Sequence, residues 1–340
     1  MDLTTTLNKS RREIMGIAAI MIVIFHVWLP VIFDLPVLPE LEAIWKRLGN
    51  MGVSIFFLYS GMGLYKSLCH NTVGVFYYHR IRRIVLPFLV TGIISAFAYK
   101  WTFIHFIKAV TGFLFFTGDI HGLLWFVQAI SVCYLLYPLY HKLISKTAYP
   151  VKVTVLISMI FILISAVFRA LGSEDYDIVF QRIPVFLLGI LISRTGSERK
   201  ILVGKKHLLL MLPAMAFGIF AATKLSPVLF FYHCFFELFA AVPLCIYLSI
   251  LSDKLTDGFF LKKALAFTGK MSFEIYCVHT LLFNQAILPL INTYGKRFFT
   301  QPPNLLINTL VIALTIPIAF ILYKLNQVVF SLIDKKTKKD

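Results

Sequence analysis

Charge is what this 340-residue chain has least of: Asp, Glu, Lys and Arg make up 14% of it, against 59% hydrophobic residues and a mean hydropathy of +0.82. A soluble domain carries roughly a quarter charged residues, and one core cannot hide this much apolar surface from water. A soluble globular fold is excluded, and lipid is the solvent that removes the difficulty. Acids are scarcer than bases, 16 against 33, for a net charge of +17. Cysteine is also sparse. Cys69, Cys133, Cys234, Cys245 and Cys277 lack metal-type spacing and fall mostly in apolar runs, so they read as packing residues, not a disulfide framework. No Gly-rich phosphate loop, His-Glu-x-x-His zinc spacing, internal repeat, low-complexity tract or appended soluble domain occurs. No metal is expected. Nor is a cleavable leader, because the apolar run after Lys9, Arg11 and Arg12 extends from Ile14 to Phe33 without a small-x-small cleavage site.

Long apolar runs are what the chain has in quantity. They sit near 14–33, 51–69, 84–100, 122–140, 151–169, 181–193, 207–223, 228–251, 271–291 and 304–326. A membrane-spanning helix needs about 20 apolar residues, so the expected fold is all-α: a polytopic membrane protein, one bundle of about ten transmembrane helices. Trp101–Thr117 is apolar but interrupted by His105 and Lys108, and reads as re-entrant or interfacial. With the N-terminus in the cytoplasm, most of the 33 Lys and Arg fall on the inner side, while Asp34, Glu40, Glu42, Asp119, Glu174, Asp175 and Asp177 fall outside. Basic residues are retained on the cytoplasmic side during insertion, so both termini are expected there. The expected divisions are a cytoplasmic N-terminus (1–13), a membrane domain (14–326) and a basic cytoplasmic tail (327–340). The positive charge is mostly topology, and no nucleic-acid partner is expected.

Polar residues at membrane depth are costly unless a partner or cavity compensates, which makes the few present informative. His26 lies about twelve residues into the first run and His279 about eight into the ninth, with Glu237 near the middle of the eighth. Arg182, Trp125 and His121 lie toward outer ends, as does Ser54. An imidazole that titrates near neutrality can relay a proton or carry an acyl group. It can equally serve as interhelical packing glue. Glu237 reads either as a proton relay or as a hydrogen-bonded buried acid.

A second feature is Phe76-Tyr77-Tyr78-His79-Arg80-Ile81-Arg82-Arg83-Ile84-Val85-Leu86-Pro87. Its guanidinium groups suit phosphate, and nearby tyrosines can stack on a base, so a polyphosphorylated nucleotide-like ligand fits. Anionic lipid headgroups fit the same charge. In Gly52-Val53-Ser54-Ile55-Phe56-Phe57-Leu58-Tyr59-Ser60-Gly61, close helix packing accounts for the small residues.

Taken in order, these stretches resemble the acyltransferase 3 family of bacterial membrane enzymes. Gly16 through Phe25-His26 is similar to the family's first-span motif, Gly52-Val53 through Ser60-Gly61 to its second, and Phe76-Tyr77 with Arg80, Arg83 and Pro87 to its basic loop. His121-Gly122-Leu123-Leu124-Trp125-Phe126 resembles its His-Leu-Trp-Phe element with one extra residue. Arg182-Ile183-Pro184-Val185-Phe186-Leu187-Leu188-Gly189 and Ser272-Phe273-Glu274-Ile275-Tyr276-Cys277-Val278-His279 resemble its late motifs. Two positions depart: Met15 stands where the family usually has arginine, with Arg12 a turn earlier, and Ser54 where it usually has an acid.

The resemblance implies an O-acyltransferase of the bacterial cytoplasmic membrane that moves acetyl from acetyl-CoA to a cell-surface or lipid-linked glycan. It makes His26 and His279 the catalytic candidates. Arg12, Arg80, Arg82 and Arg83 would bind acetyl-CoA, while His121, Trp125, Arg182 and Glu237 would contact the acceptor. A transporter of a lipid-linked glycan or acyl carrier is the first alternative, and a non-catalytic family descendant the second. A membrane-bound O-acyltransferase of the eukaryotic type, which also uses an intramembrane histidine, ranks last because it lacks these motifs.

Overall fold

The structure is a computed structural model that describes residues 1–26, 38–117, 123–172, 176–225, 233–287, 289, 292–293 and 302–337. Among these it is helical, without a named strand. In chain order the helices are α1 (Leu3–Lys9), α2 (Arg11–His26), α3 (Leu38–His70), α4 (Val73–Ala98), α5 (Phe103–Val110), α6 (Phe113–Phe116), α7 (Trp125–Lys146) and α8 (Pro150–Ala170). They continue as α9 (Asp177–Phe180), α10 (Ile183–Glu198), α11 (Lys205–Phe220), α12 (His233–Lys254), α13 (Phe260–Lys270), α14 (Ser272–Leu282) and α15 (Pro302–Thr337). Single π-helical turns, Ala221–Leu225 and Phe283–Ile287, follow α11 and α14.

Each of the ten apolar runs overlaps one of these helices. Five stretches among the described residues are both long and apolar enough to cross a membrane: Val73–Ala98, Pro150–Ala170, Ile178–Glu198, Cys234–Lys254 and Thr309–Lys335. The interrupted stretch after Trp101 forms α5 and α6, of eight and four residues. At 1.5 Å per residue neither approaches the ~30 Å hydrocarbon thickness. Phe103, Ile104, Phe113 and Phe116 are exposed along it.

The chain divides into two compact units. The first comprises Met1–Ala18, Asn50–Phe76 and Gln128–Gly269. Its helices meet through glycines. A Cβ at Gly61 would strike the Phe186 carbonyl, and one at Gly189 the Leu58 carbonyl; Gly16 and Gly269 stand in the same reciprocal relation, against Leu265 and Arg12. Backbones that close leave no room for side chains, which is how membrane helices gain packing where lipid supplies no hydrophobic drive. At the chain's start, Asp2 caps α1 through Thr5 N at 3.0 Å and accepts from Ile201 N at 3.0 Å. All five cysteines are free, four of them buried and Cys69 exposed.

The second unit comprises Ala19–Gly49, Tyr77–Val127 and Lys270–Asp340. It holds the last two turns of α2, most of α4, the α5–α6 pair, α14 and α15. Gly49 faces the Met21 carbonyl and Phe25 so closely that a Cβ there would collide, which draws α2 against α3 just before His26.

Candidate active site

Two helices of the second unit each carry a histidine that folds back on its own backbone. His26 is the last residue of α2, and its Nδ1 lies 2.9 Å from the Ile22 carbonyl oxygen one turn earlier. His279 lies on α14, with Nδ1 2.9 Å from the Ile275 carbonyl oxygen. A carbonyl can only accept, so each Nδ1 carries the hydrogen, and these contacts assign both tautomers. His279 Nε2 is then a lone pair in the neutral ring. It lies 3.4 Å from His26 Nδ1, whose hydrogen is shared between Ile22 O and this nitrogen. What remains on His26 is Nε2, basic and without a partner among the described residues. The two rings are 5.0 Å apart at their centroids.

Aromatic side chains enclose this pair. Phe25 and Phe283 present edges to the His26 ring at 5.0 and 5.7 Å, and Tyr276 packs on His279 at 5.6 Å. Tyr276 in turn accepts a hydrogen bond from Phe126 N at 3.3 Å. Trp125 opens α7 beside Phe126, half-buried, directly after Leu124 in a left-handed conformation (φ 49°). His279 is 1% exposed, while His26 is only half-buried. This is a chemically simple arrangement: one imidazole nitrogen without a partner among the described residues, which can take a proton or an acyl group, with a second imidazole accepting from its other side. His121 lies outside the described residues.

The basic stretch of the same unit is the start of α4. Arg80 and Arg83, three apart, share a helix face. Arg80 is half-buried, and Arg83 is exposed with Nη2 3.5 Å from the Lys270 carbonyl. Arg82 projects differently and meets the end of α15, its Nη1 2.6 Å from Asp334 Oδ2. Arg82 therefore projects from a different face of α4 than Arg80 and Arg83. Arg12, in the first unit, is exposed. Its neighbour Arg11 points inward and donates to the Tyr59 carbonyl at 3.1 Å, with its guanidinium 5.9 Å from the Tyr59 ring centre.

Arg182 and Glu237, far apart in sequence, form one ion pair inside the first unit. Arg182 is fully buried, with Nη2 3.5 Å from Glu237 Oε2 and 3.0 Å from Asn50 Oδ1, Nη1 3.2 Å from the Ile178 carbonyl and Nε 3.4 Å from Ser54 Oγ. Asn50 Nδ2 donates to Glu237 Oε1 at 2.7 Å, and Ser54 Oγ donates to Glu237 Oε2. Each polar side chain in this group has at least one partner within it. Removing one member of such a buried pair typically costs about 3–5 kcal/mol, because the other charge is left uncompensated. Ser54, at the position where the resemblance leads one to expect an acid, engages an acid contributed by α12. Asn50 escaped notice in the sequence although it lies one helical turn before Ser54, the spacing that puts two side chains on one face. Tyr276 sits in the Ser272–His279 motif, where the histidine is the more conspicuous side chain, and Arg11 sits beside Arg12, from which sequence alone does not distinguish it.

Among the described residues no group of three or more His, Cys, Asp or Glu is arranged to hold a metal ion. A family model described as an acyltransferase domain, that of the acyltransferase 3 family, matches residues 15–324. The chain belongs to the acyltransferase 3 family. Both histidines, the α4 arginines, Trp125 and the Arg182–Glu237 pair all fall within the matched span. No curated protein and no solved structure matches the chain. As a member of the acyltransferase 3 family with several apolar helices, it is a membrane acyltransferase-domain protein.

Proposed function

We propose that this protein is an O-acyltransferase of the bacterial cytoplasmic membrane, with about ten spans and both termini in the cytoplasm, that moves an acetyl group from acetyl-CoA to a hydroxyl of a cell-surface or lipid-linked glycan. The observation that carries the reading is the His26–His279 pair, which leaves a single basic nitrogen, His26 Nε2, with its tautomer held from the opposite edge. In the direct route, His26 Nε2 takes the sugar hydroxyl proton as the oxygen attacks the thioester carbonyl. The carbon–sulfur bond then breaks, and the imidazolium returns the proton to the leaving CoA thiolate. In the covalent route the same nitrogen attacks the thioester carbonyl, the carbon–sulfur bond breaks and CoA leaves as the thiolate; the sugar oxygen then attacks the acetyl carbon of the acetyl-imidazolium, the carbon–nitrogen bond breaks to free Nε2, and the hydroxyl proton passes to the thiolate. Both routes place positive charge on His26, and both gain from Ile22 O and His279 Nε2 as acceptors for Nδ1–H. Arg80, Arg82 and Arg83 would each contact phosphates of acetyl-CoA. Trp125, with His121, would face the acceptor. Arg182 and Glu237, held together as an ion pair, would contact the acceptor.

Labelled acetyl-CoA incubated with purified protein and envelope glycan tests this. Wild type should transfer label to the glycan fraction. His26→Ala should reduce transfer by about 10²- to 10⁴-fold, the usual contribution of general acid–base catalysis, with an unchanged amount of protein in the membrane. Equal transfer by both proteins removes His26 from the mechanism. Acetyl-CoA binding with no product from wild type would point to a non-catalytic descendant.

A further inference from the structure

The C-terminal end of α15 reaches the basic start of α4 inside the second unit. Asp334 Oδ2 accepts from Arg82 Nη1 at 2.6 Å, and Asp334 Oδ1 accepts from the Tyr78 hydroxyl at 2.7 Å. One turn earlier on α15, Phe330 lies under the same guanidinium, 5.5 Å from its centre. One carboxylate is thus gripped by an arginine and a phenol, with an aromatic ring stacked beneath the arginine. An anion bearing oxygen acceptors, attached to a flat ring system, needs these same partners from a protein. A planar carboxylate and a tetrahedral phosphate monoester both offer anionic acceptor oxygens to a guanidinium, but the phosphate carries more charge and a third oxygen.

Helix length leaves room for this contact to lie outside the membrane interior. With 36 residues, α15 is about 54 Å long against roughly 30 Å of hydrocarbon, and Asp334 lies in its final turn. The side chains of Arg82 and Asp334 are 37% and 35% exposed. A pair so exposed is weak, because water and salt screen it and two flexible side chains must be held in place. It closes the seat at little cost to reopening it.

We infer that Tyr78, Arg82 and Phe330 form a seat for a phosphate of a nucleotide-bearing acyl donor, and that Asp334 occupies this seat until the donor displaces it. The inference rests on the acetyl-CoA reading above and adds to it three residues, Tyr78, Phe330 and Asp334. Asp334 is a competitor within the site, a carboxylate on the last turn of the chain's final long helix, so the position of that helix end tunes donor affinity.

The test is acetyl-CoA binding to the full-length protein in lipid nanodiscs, measured by calorimetry for wild type, Asp334→Asn, Arg82→Gln and the double variant. Asparagine keeps the oxygen that accepts from Tyr78 and loses the charge that holds Arg82. Asp334→Asn should bind acetyl-CoA about two- to fivefold tighter, the range set by the strength of an exposed ion pair. That gain should vanish when Arg82 is already glutamine, since the two residues act as one unit. If wild type binds acetyl-CoA but Asp334→Asn binds it equally or more weakly, Asp334 is a structural clip and the inference falls alone. If neither wild type nor Asp334→Asn binds acetyl-CoA, the donor assignment fails and the inference falls with it.

Discussion

His279 is nearly sealed from solvent, yet one of its nitrogens faces the neighbouring imidazole at 3.4 Å. That geometry suits a positioning residue better than a second base. Its Nδ1 hydrogen is committed to Ile275 O, so in the neutral ring only the Nε2 lone pair is left to act. The task of that lone pair is to accept from His26 Nδ1–H, keeping the proton off Nε2, where the chemistry needs a base. A glutamine at 279 can still offer an acceptor oxygen, whereas leucine offers none. His279→Gln should retain most of the wild-type rate and His279→Leu should fall by about tenfold or more, equivalent to about 1.4 kcal/mol of transition-state stabilisation. Turnover at saturating acetyl-CoA separates them. Equal loss in both variants would mean that His279 fills space and nothing more.

The histidines were legible in the sequence because an imidazole in an apolar run stands out against its surroundings. Their pairing was not, nor was that of Arg182 with Glu237. Which side chains meet across helices depends on the rotation and relative height of those helices, and hydrophobic periodicity along one segment encodes neither. Arg82 illustrates the same limit in reverse. The run Arg80–Arg83 looks like one patch in sequence, but the helix turns each residue by about 100°. Arg82 therefore meets Asp334, while Arg80 and Arg83 share another face.

At the scale of the element, apolar runs located the helices but not their ends. The helix α3 begins at Leu38, well ahead of the run that starts near 51, because Leu, Glu, Ala, Lys and Arg in between favour helix without being apolar. The opposite holds at α14. Its apolar run continues, yet the regular helix stops after eleven residues and passes into the π turn at Phe283, the residue that edges the His26 ring. Glycines decide how closely these elements approach. Gly269 has the Arg12 carbonyl where a Cβ would sit, while Gly74, on the exposed first turn of α4, has nothing within 4 Å. Alanine is favoured over glycine in a helix by roughly 0.5–1 kcal/mol, so Gly74→Ala should leave the melting temperature unchanged or slightly raised. Gly269→Ala gains the same propensity but must push α13 away from α2, and should lower the melting temperature and the detergent-extracted yield. If the two variants melted alike, the close approach of these helices would be wrong.

For the whole molecule, the count of spans is the claim with most reach, since it decides on which side of the membrane each piece of chemistry lies. Ten crossings, the number proposed above, are an even number, and an even number returns the chain to the side where it began. Lys9 and Lys335 should then share a compartment, and Lys100, at the far end of α4, should lie in the other. Each can be replaced singly by cysteine in a background where exposed Cys69 is serine; the other four cysteines are buried and should react slowly. A membrane-impermeant maleimide added to intact cells should label Lys100→Cys at once and should reach Lys9→Cys and Lys335→Cys only after permeabilisation. Labelling of Lys9→Cys and Lys335→Cys from opposite sides would require an odd number of crossings. The α4 arginines would then no longer be guaranteed access to the cytoplasm, and the proposed donor would have to arrive by some route other than simple diffusion from that side to the start of α4.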